Sequence, residues 1–205
     1  MSRYTGPSCK KCRKVSQKLF LKGSKCATNC IVDKKQRSGR DKKFSSGGPG
    51  GMKKMSDYGK HLREKQIARL MAQVTEAQFR RFFDKASKDK GKTGEALLRF
   101  LEVRLDNIAR RLGFAISMKA SRQLVNHGHV RVNGRPVNIP SFLVKPGDTV
   151  NVDAKAAQSL AVKLGLENAD KSAPRPSFLA WDPAAMTGKM VRWPDRGEVS
   201  INVDE

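Results

Sequence analysis

Apolar residues between Glu95 and Val152 follow first a helical spacing and then a strand-like spacing. In the first part they recur every three or four residues, which predicts one amphipathic helix. The apolar positions of this stripe are Leu97, Leu101, Leu105, Ile108 and Leu112. Gly113 is expected to end this helix, and Ser117 is expected to cap a second one that ends at Gly128. Basic side chains of both helices are expected to lie on the exposed side.

A short hairpin is predicted directly after the second helix. Residues 130–132 and 135–137 alternate apolar and polar positions on either side of Asn133-Gly134, the pair most typical of a two-residue turn. A second turn is predicted at residues 146–148, before a third strand at residues 150–152. The whole stretch therefore predicts two helices followed by a small antiparallel sheet.

Two further helices are predicted upstream of this stretch. Ser56 is expected to cap the first, and Thr75 with Gln78 forms a capping box for the second. The predicted core positions are Tyr58, Leu62, Ile67, Leu70, Met71, Val74, Phe79, Phe82, Phe83 and Ala86. Aromatic rings beside basic side chains can stack on nucleic-acid bases, but phenylalanines at helical spacing more often pack in a core.

The tail from Ala154 onward has another pattern. Residues 172–176 predict an extended, proline-containing loop. Short strands are predicted at residues 178–181, 189–193 and 199–203. Trp181 and Trp193 are expected to be buried against the helices, so the tail is predicted to be a C-terminal subdomain that packs back on the helical part.

The net charge of the chain indicates the kind of partner that it binds. The chain has 42 Lys and Arg against 19 Asp and Glu, a net charge of +23, and the part before Asp148 alone accounts for +25. Solubility requires a net charge of only about 2–8, so a merely solvated surface is disfavoured. A polyanion such as nucleic acid is the expected partner. No run approaches the roughly 20 apolar residues of a membrane span, and no signal peptide is evident, so a cytosolic location without membrane contact is expected.

All four cysteines lie near the N-terminus, as Cys9-x2-Cys12, thirteen residues, and Cys26-x3-Cys30. Two such pairs can form a tetrahedral zinc site of four thiolates, which would replace a core that this arm cannot otherwise build. Flanking lysine and arginine side chains are expected to lower the thiol pKa values. Two disulfides, a redox pair and free structural cysteines are the alternatives, and each fits the location or the clustering less well.

Residues 31–55 are expected to be a linker, because they combine basic residues with a serine- and glycine-rich run and show no periodicity. We expect this segment to become ordered only against phosphate. The glycine run at residues 47–51 lacks the Lys-Ser/Thr of a phosphate-binding loop, and neither a nucleophile–base pair nor an HExxH motif is evident, so the chain is not expected to be an enzyme.

Three blocks resemble the αL-type RNA-binding module: RLDNIARRLGF (104–114), SRQLVNHGHVRVNG (121–134) and VKPGDTV (144–150). This module also occurs in pseudouridine synthases, a tyrosyl-tRNA synthetase and a heat-shock protein. Further blocks extend the resemblance over almost the full length: RYTGPSCKKC (3–12), KLFLKGSKC (18–26), SDYGKHLREKQ (56–66), TEAQFRRFFDKASKDKGKTG (75–94) and WPDR (193–196). Together they resemble the family of the fourth small-subunit ribosomal protein, in its bacterial form with a cysteine arm.

The resemblance implies an α+β fold, a mainly helical domain with the αL module inserted. We expect four regions: a four-cysteine zinc-binding arm and basic linker (1–45), a helical subdomain (46–94), the module (95–153) and the C-terminal subdomain (154–205). Two departures stand out. The second cysteine pair is spaced x3 where relatives have a longer spacing. The chain also stops before a further apolar and aromatic strand, so its C-terminus is expected to be truncated or to lack that strand.

The resemblance also implies a function. Family members bind the five-prime domain of small-subunit ribosomal RNA, help to nucleate subunit assembly and contribute to translational accuracy. They lie beside the fifth and third small-subunit proteins, near the channel through which messenger RNA enters, and some repress their own messenger. The alternative is an accessory RNA-binding protein with the same module, of the RNA-modification or heat-shock type. A pseudouridine synthase needs a catalytic domain for which 205 residues leave no room. A zinc-finger DNA regulator would need a cysteine pair on a recognition helix.

Candidate RNA contacts are the cations, amides and polar side chains of the matched blocks, which are expected to read RNA mainly through its shape and phosphates. In the module they are Arg104, Arg110, Arg111, Lys119, Ser121, Arg122, Gln123, His127, His129, Arg131, Asn133 and Arg135. Elsewhere they are Arg3, Tyr4, Lys10, Lys11, Arg13, Lys60, Arg63 and Lys65. His127 and His129 could equally be polar turn residues with no role in binding. The candidate zinc ligands are Cys9, Cys12, Cys26 and Cys30.

Overall fold

A computed structural model describes residues 4–15, 17–37, 56–172, 175–201 and 203. The chain divides into two compact units, one of residues 1–75 with 203–205 and the other of residues 76–202. Arg3 and the glycine-rich part of the predicted linker lie outside the described residues. The first part of that linker is different from the prediction, because residues 31–37 form a helix.

The first unit is helical in its described parts. Its elements are α1 (Ser8–Val15), α2 (Ser24–Thr28), α3 (Ile31–Arg37) and α4 (Asp57–Met71). Ser56 caps α4 as predicted, since its hydroxyl accepts a hydrogen bond from the backbone N–H of Gly59 at 3.2 Å. The predicted apolar face is wrong at the start of α4, where Tyr58 is 75% and Leu62 38% exposed. In α4, burial is confined to Ile67 and Ala68 near its end.

The second unit begins with four helices: α5 (Glu76–Ala86), α6 (Thr93–Glu102), α7 (Leu105–Leu112) and α8 (Met118–Asn126). Phe79, Phe82 and Ala86 are buried as predicted, whereas Phe83 is 49% exposed and not part of the core. Ser117 caps α8 by accepting from the N–H of Ala120, and Gly113 ends α7 in the left-handed conformation. These helix ends were correctly predicted.

The single helix predicted through residues 95–112 is instead two helices. Arg104 between them has extended backbone angles and forms a bridge with Leu143. The N–H of Leu105 donates to the carbonyl of Phe142 at 2.8 Å, and the N–H of Val144 donates to the carbonyl of Val103 at 3.1 Å. The apolar spacing continues through the break because both helices pack on one core, so periodicity alone does not reveal it.

The remaining elements are β1 (Val130–Val132), β2 (Arg135–Pro136), β3 (Thr149–Val152), α9 (Ala154–Ala157), α10 (Leu160–Ser172), β4 (Leu179–Asp182), β5 (Thr187–Met190) and the 3₁₀-helix η1 (Arg196–Glu198). The five strands form one antiparallel sheet in the order β2-β1-β3-β5-β4. The predicted hairpin is confirmed, with Val132 opposite Arg135 and positive φ angles of 50° at Asn133 and 78° at Gly134. These angles suit a type I′ turn.

One hydrophobic core joins the module to the tail. Ile108, Leu112 and Phe114 pack with strand residues such as Val150 and with Met190 from the tail. Gly188 allows β5 to lie directly against the side chain of Leu112, where a Cβ atom would clash. The strands predicted for a separate C-terminal subdomain therefore extend the sheet of the module, since β5 pairs with β3.

Two predictions for the tail are wrong, and one helix was missed. Trp193 is 40% exposed, whereas Trp181 is half-buried and packs edge-on against Phe114 with ring centroids 5.6 Å apart. The described residues between 199 and 203 form no strand, and η1 precedes them. Helix α10 was not predicted. It packs against the end of α7 through Gly165, whose Cβ, if present, would lie 2.5 Å from the carbonyl oxygen of Gly113.

Candidate nucleic-acid interface

The hairpin presents cations at one end of the sheet. Arg135 is exposed on β2. Arg131 is half-buried on β1, and its guanidinium contacts Asp153 Oδ1 at 2.8 Å. Asn133 lies at the turn, but its side chain is occupied: Nδ2 donates to Asp148 Oδ1 at 2.8 Å and Oδ1 accepts from the N–H of Thr149 at 2.9 Å. Asn133 therefore fixes the turn against the start of β3, and Arg135 is the cation most open to a ligand.

Helix α8 and the residues after it add a second polar surface. Gln123 and His127 are exposed, while Lys119 and His129 are half-buried. The planes of the His127 and His129 rings are inclined by 59° to each other, with centroids 6.0 Å apart. The sequence correctly predicted that Gln123 lies on the outer side of this helix.

Three of the predicted contacts lie inside the protein and not on its surface. Arg104 and Ser121 have no exposed surface, and Arg122 is only 6% exposed. The Ser121 hydroxyl donates to the backbone carbonyl of Asp106, and Arg122 donates to Asp106 Oδ2 from both Nε, at 3.1 Å, and Nη2, at 2.8 Å. The expectation that Arg104 and Arg122 lie on the exposed side is wrong, because the buried Asp106 carboxylate binds both guanidinium groups.

Arg110 and Arg111 lie at the margin of this buried network. Arg111 donates from Nε to Glu102 Oε1 at 2.7 Å, and Arg110 donates to Asn107 Oδ1 at 3.0 Å. Burial, followed by the neighbouring charge of Arg111, lowers the pKa of Arg110 to about 10, so it is still cationic at neutral pH. Glu102 is fully buried and also accepts from the Ser200 hydroxyl at 3.1 Å.

Sequence reasoning missed Glu102 and Asp106 as the acidic partners of this network. The signal was available, since these are two carboxylates four residues apart within a strongly basic segment. Carboxylates at such positions are almost never buried unless they are paired. The network contains four arginines and two carboxylates, so it has an excess of two positive charges. Arg110 and Arg111 are half-buried, and they place this excess charge toward the surface.

In the first unit, the described contacts that were predicted lie on two helices, apart from Tyr4, which precedes α1. Lys10 and Arg13 are exposed on α1, and Lys60, Arg63 and Lys65 are exposed on α4. The ammonium of Lys11 lies 3.7 Å from the centre of the Tyr4 ring, and Lys60 pairs with Asp57 at 2.8 Å. Arg63 donates from Nη2 to the carbonyl of Val15 at 2.8 Å, which ties α4 to the end of α1.

The four cysteines have free thiols, with Cys12 and Cys26 buried and Cys9 and Cys30 half-buried. Burial raises the pKa of the Cys12 thiol, opposed by a hydrogen bond from the backbone of Leu19, and the other three thiols raise it further. The expected lowering is therefore wrong for Cys12. The backbone N–H of Lys22 donates to Cys26 Sγ at 3.3 Å. Across the described residues, no three His, Cys, Asp or Glu side chains form a group that could hold a metal ion.

Within the ranges that the structure describes, no helix is both long enough and apolar enough to cross a lipid bilayer.

Comparison with known proteins identifies two adjacent matched regions, whose boundary at residue 102 differs from that between the two compact units. A family model described as "Ribosomal protein S4/S9 N-terminal domain" matches residues 3–102, and one described as "S4 domain" matches residues 103–150. The chain is 46% identical to "Small ribosomal subunit protein uS4" of Acidobacterium capsulatum over 210 aligned positions, 100% of this chain and 96% of the relative. Proteins of the same name from Acetivibrio thermocellus and Natranaerobius thermophilus are 45% and 46% identical, with 100% and 96% coverage in both cases.

Proposed function

Because this chain belongs to the uS4 family of small ribosomal subunit proteins, we propose that it is a structural component of the small subunit and binds its ribosomal RNA. The full-length likeness to uS4 proteins is the observation on which this rests, since it covers the whole chain and not the module alone. Proteins of this family are structural and not enzymes.

The charge distribution supports an RNA partner. The positive charge is concentrated before Asp148, and the tail after Gly147 has a charge of −2. Each phosphate neutralised by a lysine or arginine releases condensed counterions, so a basic surface of this size favours RNA strongly at low salt. The hairpin and α8 face solvent with cations and amides, in keeping with recognition by shape and phosphate.

The RNA contacts that we propose are the exposed and half-buried members of the predicted set that the structure describes. In the module they are Arg110, Arg111, Lys119, Gln123, His127, His129, Arg131 and Arg135; elsewhere they are Tyr4, Lys10, Lys11, Arg13, Lys60, Arg63 and Lys65. Arg104, Ser121, Arg122 and Asn133 act as positioning residues in this proposal, because their side chains are engaged within the protein. Arg3 stays in the set as a prediction from the sequence.

The finer role that we propose follows the family. The chain binds the five-prime domain of the ribosomal RNA early in assembly, contributes to accuracy, and lies beside the fifth and third small-subunit proteins near the messenger RNA channel. The alternative, an accessory RNA-binding protein, is disfavoured because the likeness includes the N-terminal domain at residues 3–102 as well as the module.

Footprinting of small-subunit ribosomal RNA with the full chain, at near-physiological salt and with competing tRNA, tests the proposal. The expected result is a discrete protected junction in the five-prime domain that survives the competitor. Diffuse protection that tRNA removes would overturn the ribosomal assignment and favour the accessory protein.

We also propose that Cys9, Cys12, Cys26 and Cys30 bind one zinc ion. The support is their spacing, the chemistry of four sulfur donors and the free state of all four thiols. The backbone N–H of Lys22 already donates to Cys26 Sγ, so this sulfur is held in place within the arm. A bound zinc ion would supply a structural cross-link of the arm and no catalysis.

Metal analysis after gentle purification tests this assignment. One zinc per chain is expected, and it should be lost in a variant with all four cysteines replaced by serine. A metal-free preparation, or retention of zinc by that variant, would overturn it.

A further inference from the structure

A cleft of about 450 Å³ lies in the second unit, and its lining includes none of the hairpin and α8 residues assigned above. Its lining side chains come from the end of α5 and the turn after it, from α6, and from the tail before η1. They are Lys85, Lys88, Asp89, Arg99, Phe100 and Trp193. None of these residues belongs to the set of contacts predicted from the sequence.

The charge of this cleft is positive. Three cations face one carboxylate, and within the described part of the chain no ion pair engages Lys85, Lys88 or Arg99. The Nε atom of Arg99 is buried and has no hydrogen-bond partner among the described residues. A buried donor without a partner is destabilising, and an anionic acceptor entering the cleft would satisfy it.

The aromatic part of the cleft is held in place by an ion-pair network. Arg192, the neighbour of Trp193, donates from Nη1 to Asp195 at 2.7 Å and from Nη2 to Glu198 at 2.9 Å. Its Nη1 also donates to the carbonyl of Trp193 at 3.1 Å. The indole is therefore presented by an ordered turn, with 40% of the residue exposed.

From this combination we infer that the cleft binds one unpaired nucleotide of RNA, with the base stacked on Trp193 and the phosphate at Lys85, Lys88 and Arg99. The inference rests on the proposed RNA-binding function and adds a single-stranded contact to it. Stacking on an aromatic side chain combined with cations along the backbone is how proteins bind unpaired nucleotides. An acidic peptide would use the cations but gains less from the ring, so RNA is the favoured occupant.

Tryptophan fluorescence of the full chain tests this assignment. The variant Trp181→Phe leaves Trp193 as the sole tryptophan, since the chain has two. A short unstructured oligouridylate is expected to quench its fluorescence. Replacing Arg99 and Lys88 together by glutamine should weaken binding and reduce the salt dependence by roughly 1.4 units of slope, about 0.7 for each lost contact to a single strand. Lys90→Gln replaces an exposed lysine that follows Asp89 in the chain but is not in the lining of the cleft, and it is the matched control.

The ring itself is tested by substitution in the otherwise unchanged chain, with binding of the same oligouridylate measured by anisotropy. Trp193→Leu should weaken binding about ten-fold, within the range for loss of one base stack, and Trp193→Phe should retain most of it. If the chain gives a discrete ribosomal RNA footprint but oligouridylate leaves Trp193 fluorescence unchanged, nucleotide binding in the cleft is rejected and the proposed function stands. Quenching by an acidic peptide but not by oligouridylate would also reject nucleotide binding in the cleft, in favour of a protein partner. Loss of the discrete footprint in the unmodified chain would instead reject the proposed function.

Discussion

Arg104 and Asp106 form a two-bond ion pair in which neither side chain has any exposed surface. Nε lies 3.0 Å from Oδ1 and Nη2 lies 2.7 Å from Oδ2. The same carboxylate accepts Arg122 from α8, and the Arg104 guanidinium lies over the Phe82 ring at 5.6 Å. One carboxylate therefore joins α7 to α8 at the point where the predicted long helix is broken.

Replacing Asp106 by asparagine should destabilise the second unit strongly. The change preserves shape but leaves two buried guanidinium groups without their counter-charge, and breaking such a pair costs about 3–5 kcal/mol. Urea unfolding followed by circular dichroism measures the loss. Asp84→Asn, an exposed carboxylate on α5, is the control and should stay within about 0.5 kcal/mol of the parent. If Asp106→Asn lowers the free energy of unfolding by less than about 1 kcal/mol, the ion pair contributes little to stability.

Arg135 and Arg122 should respond in opposite ways. Arg135→Gln removes an exposed cation, so it should leave stability unchanged and flatten the salt dependence of ribosomal RNA binding by about one unit of slope. Arg122→Gln should instead destabilise the fold, because it removes a partner of Asp106.

Unfolding curves and salt titrations of both variants make this comparison. A destabilised Arg135→Gln variant, or a fully stable Arg122→Gln variant with a flatter salt dependence, would reverse the roles assigned to these arginines.

Asn133 should be important for the hairpin for two separable reasons. Asn133→Gly keeps the positive φ angle at little cost but loses the side-chain bonds to Asp148 and Thr149, worth about 0.5–1.5 kcal/mol each. Asn133→Ala loses the same bonds and should lower the free energy of unfolding by about 1–2 kcal/mol more, since alanine tolerates the left-handed region poorly. Thermal or urea unfolding should therefore rank the parent above Gly and Gly above Ala. Equal stability of the two variants would exclude the conformational contribution.

Glu198 should make the tail sensitive to acid. Partial burial raises the pKa of Glu198, but hydrogen bonds from Ser177, the Asp195 backbone and Arg192 outweigh it and lower the pKa overall. Because the pKa is lower in the folded state, this contribution is present above the unfolded value of about 4.3 and is lost as the pH falls through the folded value.

Unfolding at about pH 7 and about pH 3 tests this dependence. Glu198→Gln should be less stable than the parent near neutrality, and the difference should shrink in acid. Glu167→Gln, an exposed glutamate on α10, should show no such change. A difference for Glu198→Gln that is the same at both pH values would contradict a lowered pKa of Glu198 in the folded protein.

Local signals in the sequence predicted the module well. Asn133-Gly134, Ser117 and Gly113 each impose a backbone conformation or a cap through their own chemistry, and all three behave as expected. The helix break at Arg104 was not predicted, because it depends on hydrogen bonds to residues 142–144, which are distant in the chain. The pairing of β5 with β3 was missed for the same reason.

The candidate site was predicted by residue type but not by exposure. Helical spacing places Arg104 and Arg122 on the polar side, yet both turn inward because Asp106 is buried between them. Trp193 shows the reverse, an aromatic side chain that hydropathy assigns to the core and that lies half in solvent. Whether a charged side chain is buried depends on a partner that the fold brings next to it. The spacing of residues along the sequence does not identify that partner.

The sheet order β2-β1-β3-β5-β4 has a consequence for synthesis of the chain. As the nascent polypeptide emerges, β1, β2 and β3 can pair at once, but β3 keeps an open hydrogen-bonding edge until residues 187–190 have been translated. Until then the core side chains that pack with Met190 also lack this partner. A chain released early would therefore present both an unpaired strand and a hydrophobic surface, the combination that promotes aggregation. Prompt completion of the tail protects a module that lies before it in the chain.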